Sequence, residues 1–170
     1  MTPPIRPASP EDAATIARIH VESWHETYTG LIPNAFLDQL DVARSTAFWT
    51  KQIAAPGASR ILIAGEVAFA NAGPMRDDGL RAAGCLHELY ALYILKSGQR
   101  RGLGTALFTT ALEGLDGDTG LWVLEDNHAA RRFYTAIGAA RIPGADKDVP
   151  FGEATRTELA YRWASSHQES

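Results

Sequence analysis

The stretch from Glu88 to Thr105, Glu-Leu-Tyr-Ala-Leu-Tyr-Ile-Leu-Lys-Ser-Gly-Gln-Arg-Arg-Gly-Leu-Gly-Thr, constrains this chain more than any other. Its first half is apolar and aromatic, and the run Leu86–Leu95 reads as a buried central strand. A short basic turn, Lys96 to Arg101, follows. An amphipathic helix then opens at Gly102, with Leu103, Ala106, Leu107, Thr110 and Ala111 along one side. A strand that passes through a glycine-containing turn into a helix builds an anion site from main chain alone. The first N–H groups of the helix lack an intrahelical partner, and the aligned peptide dipoles leave partial positive charge at that end. Gly102 and Gly104 let a bulky group approach the backbone closely. The anion this points to is a phosphate.

Two common phosphate fingerprints do not fit. A dinucleotide-binding loop needs a third glycine where Leu107 stands, and a P-loop needs a lysine that Gly104-Thr105-Ala106 lacks. What remains is Gln99-Arg100-Arg101-Gly102-Leu103-Gly104. Further on, the strand-like run Leu121–Leu124 leads into Asn127-His128-Ala129-Ala130-Arg131-Arg132-Phe133-Tyr134-Thr135-Ala136-Ile137-Gly138. Asp126 or Asn127 can cap this second helix, and Ala130, Phe133, Tyr134 and Ile137 share one of its faces. Gly138 suits its C-terminus. Gln/Arg-x-x-Gly-x-Gly followed by Asn-x-x-Ala-x-x-Phe-Tyr-x-x-x-Gly resembles the cofactor site of the GNAT superfamily of acetyl-CoA-dependent N-acetyltransferases. The opening, with Ile5-Arg6-Pro7-Ala8, Asp12, Trp24 and Tyr28 to Pro33, is also similar to bacterial members. The resemblance covers nearly all of residues 1–170, read as one domain, and is strongest from 86 to 138.

The remaining pattern is mixed α/β. It predicts a first strand over Pro4–Pro7 and a helix over Glu11–Trp24 capped by Ser9. Helical segments follow over Pro33–Leu40 and Val42–Ile53, then strands over Ile61–Ala64 and Val67–Ala70. Asn71–Gly84 reads as a loop, 139–154 is poorly defined, and a last strand lies near Arg156–Trp163, with a loose tail from Ser165. Helices between strands imply a sheet covered on both faces. The resemblance implies the rest of the fold: a mixed, mainly antiparallel sheet whose parallel central strands, ending near residues 94 and 124, splay apart around the cofactor's pantetheine arm.

The resemblance also implies roles. Backbone from Leu92, Tyr93 and Ile94 would bond the pantetheine arm, and Arg100, Arg101, Gly102, Leu103, Gly104 and Thr105 would hold the pyrophosphate, assisted by the side chains of Gln99 and Thr105. Asn127 and Ala130 would contact the cofactor arm, with a plain helix cap as the competing reading of Asn127. Tyr134 would protonate the leaving thiolate, with a core aromatic on an amphipathic helix as the other reading. Glu88, an acid in an apolar strand, would take the amine proton through water, or else is a strand-end carboxylate meeting solvent or an arginine; adjacent His87 is the reserve base. Trp24, Tyr28, Trp49, Arg76, Asp77 and Asp78 are the residues able to read an acceptor amine, small molecule or peptide, with core packing the other reading of Trp24 and Trp49. The implied chemistry is acetyl transfer from acetyl-CoA to a primary amine. A non-catalytic acyl-CoA-binding domain of the same fold is the alternative.

Composition narrows the classes. A net charge of −4 argues against a general nucleic-acid or anionic-membrane binder. Positive charge is nonetheless concentrated at Lys96, Arg100, Arg101, Arg131 and Arg132, around the two helix starts; a solvated helix face is the other reading of Arg131 and Arg132. Cys85 is the single cysteine, excluding an intrachain disulfide and reading as packing. No apolar run reaches membrane-spanning length and no His-x-x-x-His spacing suggests a metal. A cytoplasmic protein is expected, with a homodimer left open.

Overall fold

The computed structural model describes residues 2–165; beyond Ser165 the expected tail lies outside them. One eight-stranded sheet organises the described residues. Its strands are β1 (Ile5–Pro7), β2 (Arg60–Ala64), β3 (Ala68–Pro74), β4 (Cys85–Ile94), β5 (Asp118–Leu124), β6 (Ala140–Arg141), β7 (Lys147–Phe151) and β8 (Ala154–Trp163). They are arranged in the order β1-β2-β3-β4-β5-β8-β6, with β7 also pairing β8. Every pairing is antiparallel except that of β4 with β5.

The helices are α1 (Ala13–Tyr28), α2 (Asn34–Leu37), α3 (Val42–Ala54), α4 (Asp78–Ala82), α5 (Leu103–Leu112) and α6 (His128–Ala136). Alternation along the inner strands sorts the core into two layers. Ile61, Ile63 and Phe69 face α1 and α3, packing on Ile16, Ile19 and Trp49. Leu62, Ala64, Ala70 and Ala72 face the other way, onto Leu103, Leu107, Phe108 and Leu112 of α5. Because both faces are covered, β2 and β3 read as continuous apolar runs rather than alternating ones.

Two segments differ from the sequence expectation. The segment Asn71–Gly84 is not simply a loop: β3 continues to Pro74, and Asp77, accepting from Leu80 N–H at 2.8 Å, caps α4. Gly73 pairs with Glu88 of β4 and lies in the strand; it is glycine there because a Cβ would lie 2.7 Å from both Ser59 Oγ and Tyr90 Oη. The undefined region 139–154 supplies β6 and β7, which extend the sheet along β8. Among the described residues no helix is long and apolar enough to cross a membrane.

Candidate active site

β4 and β5 stay together only at their first residues. Cys85, His87 and Glu88 pair with Asp118, Thr119 and Gly120, and the ladder then stops. Beyond that point β4 remains bonded to β3 as far as Ile94, while β5 follows β8 to Leu124. The cause is visible in the register of β3 against β4. It jumps from Asn71↔Ala91 to Ala72↔Leu89, leaving Tyr90 as an extra residue. Such a bulge bends its strand and raises the local twist. The two strands splay, as expected, and a cavity of about 500 Å³ opens between Leu89–Ile94 and Leu121–Leu124.

The turn after β4 is fixed from several sides. Gln99 Nε2 donates to Ile94 O at 2.8 Å, and Lys96 N–H donates to Glu26 Oε2 of α1 at 2.8 Å. Arg100 takes a positive φ of 63° and Gly102 one of 74°, turning the chain sharply into α5. Among the described residues no side chain caps α5; its first turn bonds Ala106 N–H to Gly102 O at 3.1 Å. The N–H groups of Leu103, Gly104 and Thr105 therefore lack intrahelical acceptors. Gly104 is needed for packing too, since a Cβ would lie 3.1 Å from Phe133 Cε2 and 3.2 Å from Ile94 Cδ1.

Most residues expected to hold the cofactor meet on this cavity. Leu92, Tyr93, Ile94, Gln99, Arg100, Gly102, Leu103, Gly104, Thr105, Asn127 and Ala130 line it, together with Tyr134 and Tyr28; Arg101 is not among the lining residues. Gln99's amide is engaged with Ile94, so its visible work is shaping the turn. Asn127 caps α6, its Oδ1 accepting from Ala130 N–H at 3.2 Å. Tyr134 lies on the buried face of α6 beside Phe108 and Phe133. Burial pushes its phenol above the ordinary tyrosine range, so the hydroxyl keeps its proton at neutral pH. Arg131 is tied to Tyr161 Oη at 3.3 Å and Glu125 O at 3.1 Å, a local anchor.

A second cavity of about 200 Å³ adjoins the first. Tyr28, Leu89, Tyr90, Tyr93, Trp122 and Leu124 line both and form their common wall. Trp24, Arg76 and Glu88 open onto the second one. Glu88 meets an arginine: its Oε1 accepts from Arg76 N–H at 3.1 Å and Nε at 3.3 Å, and its Oε2 from Nη2 at 2.8 Å. The guanidinium also lies 4.0 Å over the Tyr90 ring. Burial pushes Tyr93 up to about 12 and Tyr28 well above its usual value, so both phenols are neutral donors here.

The β7–β8 hairpin contributes Lys147, Phe151 and Glu158 to this cavity, none of which the sequence reading singled out. They lie in or beside the segment that carried no clear periodicity; an acid among the apolar residues of β8 was the available signal. Burial raises the Glu158 carboxyl, while Lys147 opposes the rise and Glu88 adds to it. Three expected acceptor readers are elsewhere. Trp49 is buried against Phe69 and His20, Asp77 caps α4, and Asp78 pairs with Arg81 on the surface. His87 Nε2 is hydrogen-bonded with Asp116 O at 2.8 Å, away from both cavities, and Cys85 is core.

Comparison with known proteins agrees with this geometry. The acetyltransferase (GNAT) family profile matches residues 15–139. An uncharacterised N-acetyltransferase of Bacillus subtilis, YuaI, is 32% identical over 168 residues, covering 94% of this chain and 91% of its own. A probable N-acetyltransferase of Mycobacterium tuberculosis is 28% identical over 137 residues, with 76% and 75% covered. Among solved structures, the PaiA N-acetyltransferase of Thermoplasma acidophilum in complex with coenzyme A superimposes with a TM-score of 0.74 at 18% identity, covering 96% of this chain and 99% of that one. YncA from Salmonella typhimurium with acetyl-CoA gives 0.66 at 19% identity, with 96% and 94% covered. With its profile match, its relative above 30% identity and its splayed parallel strands, this chain belongs to the GNAT family of acetyltransferases.

Proposed function

We propose that the chain transfers an acetyl group from acetyl-CoA to a primary amine, bound together in the two adjoining cavities. The observation that carries this is the shared wall: one cavity ends in unpaired helix N–H groups, the other in aromatic rings and carboxylates, and Tyr28, Tyr93 and Trp122 stand between. The larger cavity suits the donor. Open backbone N–H groups of residues 103–105 and the dipole of α5 suit its diphosphate, each contact contributing on the order of 0.3–2 kcal/mol. The side of β4 at Leu92–Ile94 that β5 no longer pairs offers main-chain groups to the pantetheine arm, as an added strand would use them.

Acetyl-CoA supplies the thioester carbonyl that a neutral amine attacks, forming the C–N bond as the C–S bond breaks. The chain's residues then manage protons. Tyr134, protonated at neutral pH, donates its phenolic proton to the departing sulfur, and a carboxylate in the smaller cavity accepts the proton of the amine. Holding both reactants in contact contributes more than either group, up to roughly 7–11 kcal/mol against the two to four powers of ten typical of one acid or base.

The test is a pair of measurements. Acetyl-CoA at a hundred times its dissociation constant should stabilise the fold by about 2.7 kcal/mol, where ATP and NAD do not. Release of free thiol with a panel of primary amines then separates an enzyme from a binding domain; stabilisation without thiol release from any amine would refute turnover.

A further inference from the structure

The smaller cavity contains two carboxylates in different situations. Glu88 is committed, its side chain only 4% exposed and both oxygens occupied by Arg76. Glu158 is not. It stands on β8 opposite Leu124 of β5 and Lys147 of β7, and its ion-pair partner among the described residues is Lys147, at 3.9 Å. Lys147 is a loose partner. Its side chain is 43% exposed, and its Nζ sits 3.9 Å over the Trp122 ring. That ammonium therefore marks a spot in the cavity where a positive nitrogen finds an aromatic face on one side and a carboxylate on the other, the arrangement that attracts alkylammonium ions.

We propose that this spot is the acceptor subsite: a compact primary alkylammonium displaces the Lys147 ammonium from Trp122 and Glu158, and Glu158, rather than Glu88, takes its proton. The inference rests on the acetyltransferase reading given above. In the step itself, one N–H bond of R–NH3+ breaks, the proton passes to a Glu158 carboxylate oxygen, and the nitrogen attacks with the electron pair it keeps; as the C–N bond forms and the C–S bond breaks, the sulfur takes the Tyr134 proton and the nitrogen's second proton restores the phenol. A cavity of about 200 Å³ admits a small head group, since it falls below the several hundred Å³ of drug-sized sites. The groups facing Glu158 are Lys147 from β7, Glu88 and Tyr93 from β4, and Tyr28 from α1. The phenols are neutral and Glu88 is held by Arg76, so Lys147 is the competing cation.

The experiment titrates straight-chain alkylamines, propylamine to hexylamine, into the full chain and its E158Q, E88Q and K147M variants, following tryptophan fluorescence, with the matching alcohols as uncharged controls. Amines should bind and alcohols should not. E158Q should weaken amine binding at least tenfold, whereas K147M should tighten it several-fold by removing the competitor, a reversal of sign that general damage to the fold would not produce. For any amine that turns over, E158Q should abolish the acid limb of the kcat/KM–pH profile and E88Q should retain it. Unchanged amine affinity in E158Q, weakened affinity in K147M, or no alkylamine binding to the wild type would overturn the proposal. Thermal stabilisation by acetyl-CoA, measured on the same samples, reports the donor site separately. Its absence would sink the acetyl-transfer reading even where the amines bind, and its presence with failed amine binding would sink only this one.

Discussion

Arg76 closes over Glu88 as a fork, its guanidinium reaching both carboxylate oxygens while its own backbone N–H reaches one of them. An acid buried in a strand is costly unless its oxygens are satisfied, and the Arg76 side chain does much of this from a largely exposed position, 66% accessible. Cutting Arg76 to alanine should destabilise the fold by about 1–3 kcal/mol, toward the lower end because water can reach the vacated position. Glu88→Gln keeps one acceptor oxygen for these donors and loses the other to an NH2 group; it should cost less. Urea denaturation of the wild type and the two variants checks the order; variants as stable as the wild type would show that the fork has no structural role.

Tyr134→Phe removes the hydroxyl while leaving the packing on Phe108 and Phe133 in place. Turnover should fall by up to the 10²–10⁴-fold typical of a general acid, with acetyl-CoA affinity nearly unchanged. Burial raises this phenol, so its protonated, donating form persists to higher pH than in a free tyrosine. The kcat profile of the wild type should accordingly show no falling limb from Tyr134 below about pH 10, the ordinary tyrosine value. Steady-state kinetics of both proteins across pH test the two statements together.

Gly104→Leu should damage the donor site first. The added side chain must displace Phe133 or Ile94, which lie 3.1–3.2 Å from where its Cβ would be. Overpacking of this kind costs typically 1–3 kcal/mol. The thermal shift on adding acetyl-CoA should shrink beyond what the lower starting stability explains.

His20 should give stability a pH dependence near neutrality. It is enclosed by Trp24, Trp49, Phe69 and Tyr93, and burial lowers its pKa below the usual value. Below about pH 6.5 the unfolded chain binds a proton that the folded chain refuses, so this contribution weakens the fold on acidification and levels off above that pH. Melting temperatures from pH 5 to 7.5 should rise, and His20→Gln should flatten the rise; an unchanged slope would assign it to other groups.

The legible parts of this protein are the local ones. The strand over Leu86–Leu95, the turn at Gln99–Gly102 and α6 with its Asn127 cap are each specified by neighbours in sequence, so periodicity and glycine placement sufficed to find them. Gly73 and Pro74 mimic a turn locally; they lie in a strand because they pair with Glu88 and His87 of β4, a long-range contact that no local pattern encodes. The smaller cavity is half legible for the same reason. Trp24, Tyr28, Arg76 and Glu88 stand out in the sequence, but Glu158 and Lys147 reach it only because β8 returns beside β5 and β7 folds back on β8. Trp49 and Asp77, both chemically able to bind a ligand, were claimed by core packing and helix capping instead.

In the proposed function, main-chain N–H groups opening α5 hold the donor's diphosphate. Titrating 15N-labelled protein with coenzyme A and following backbone amide resonances tests it most directly. The account predicts the largest shifts at residues 100–105, with a second group at Leu92–Ile94. Shifts centred elsewhere, with residues 100–105 unmoved at saturation, would contradict it.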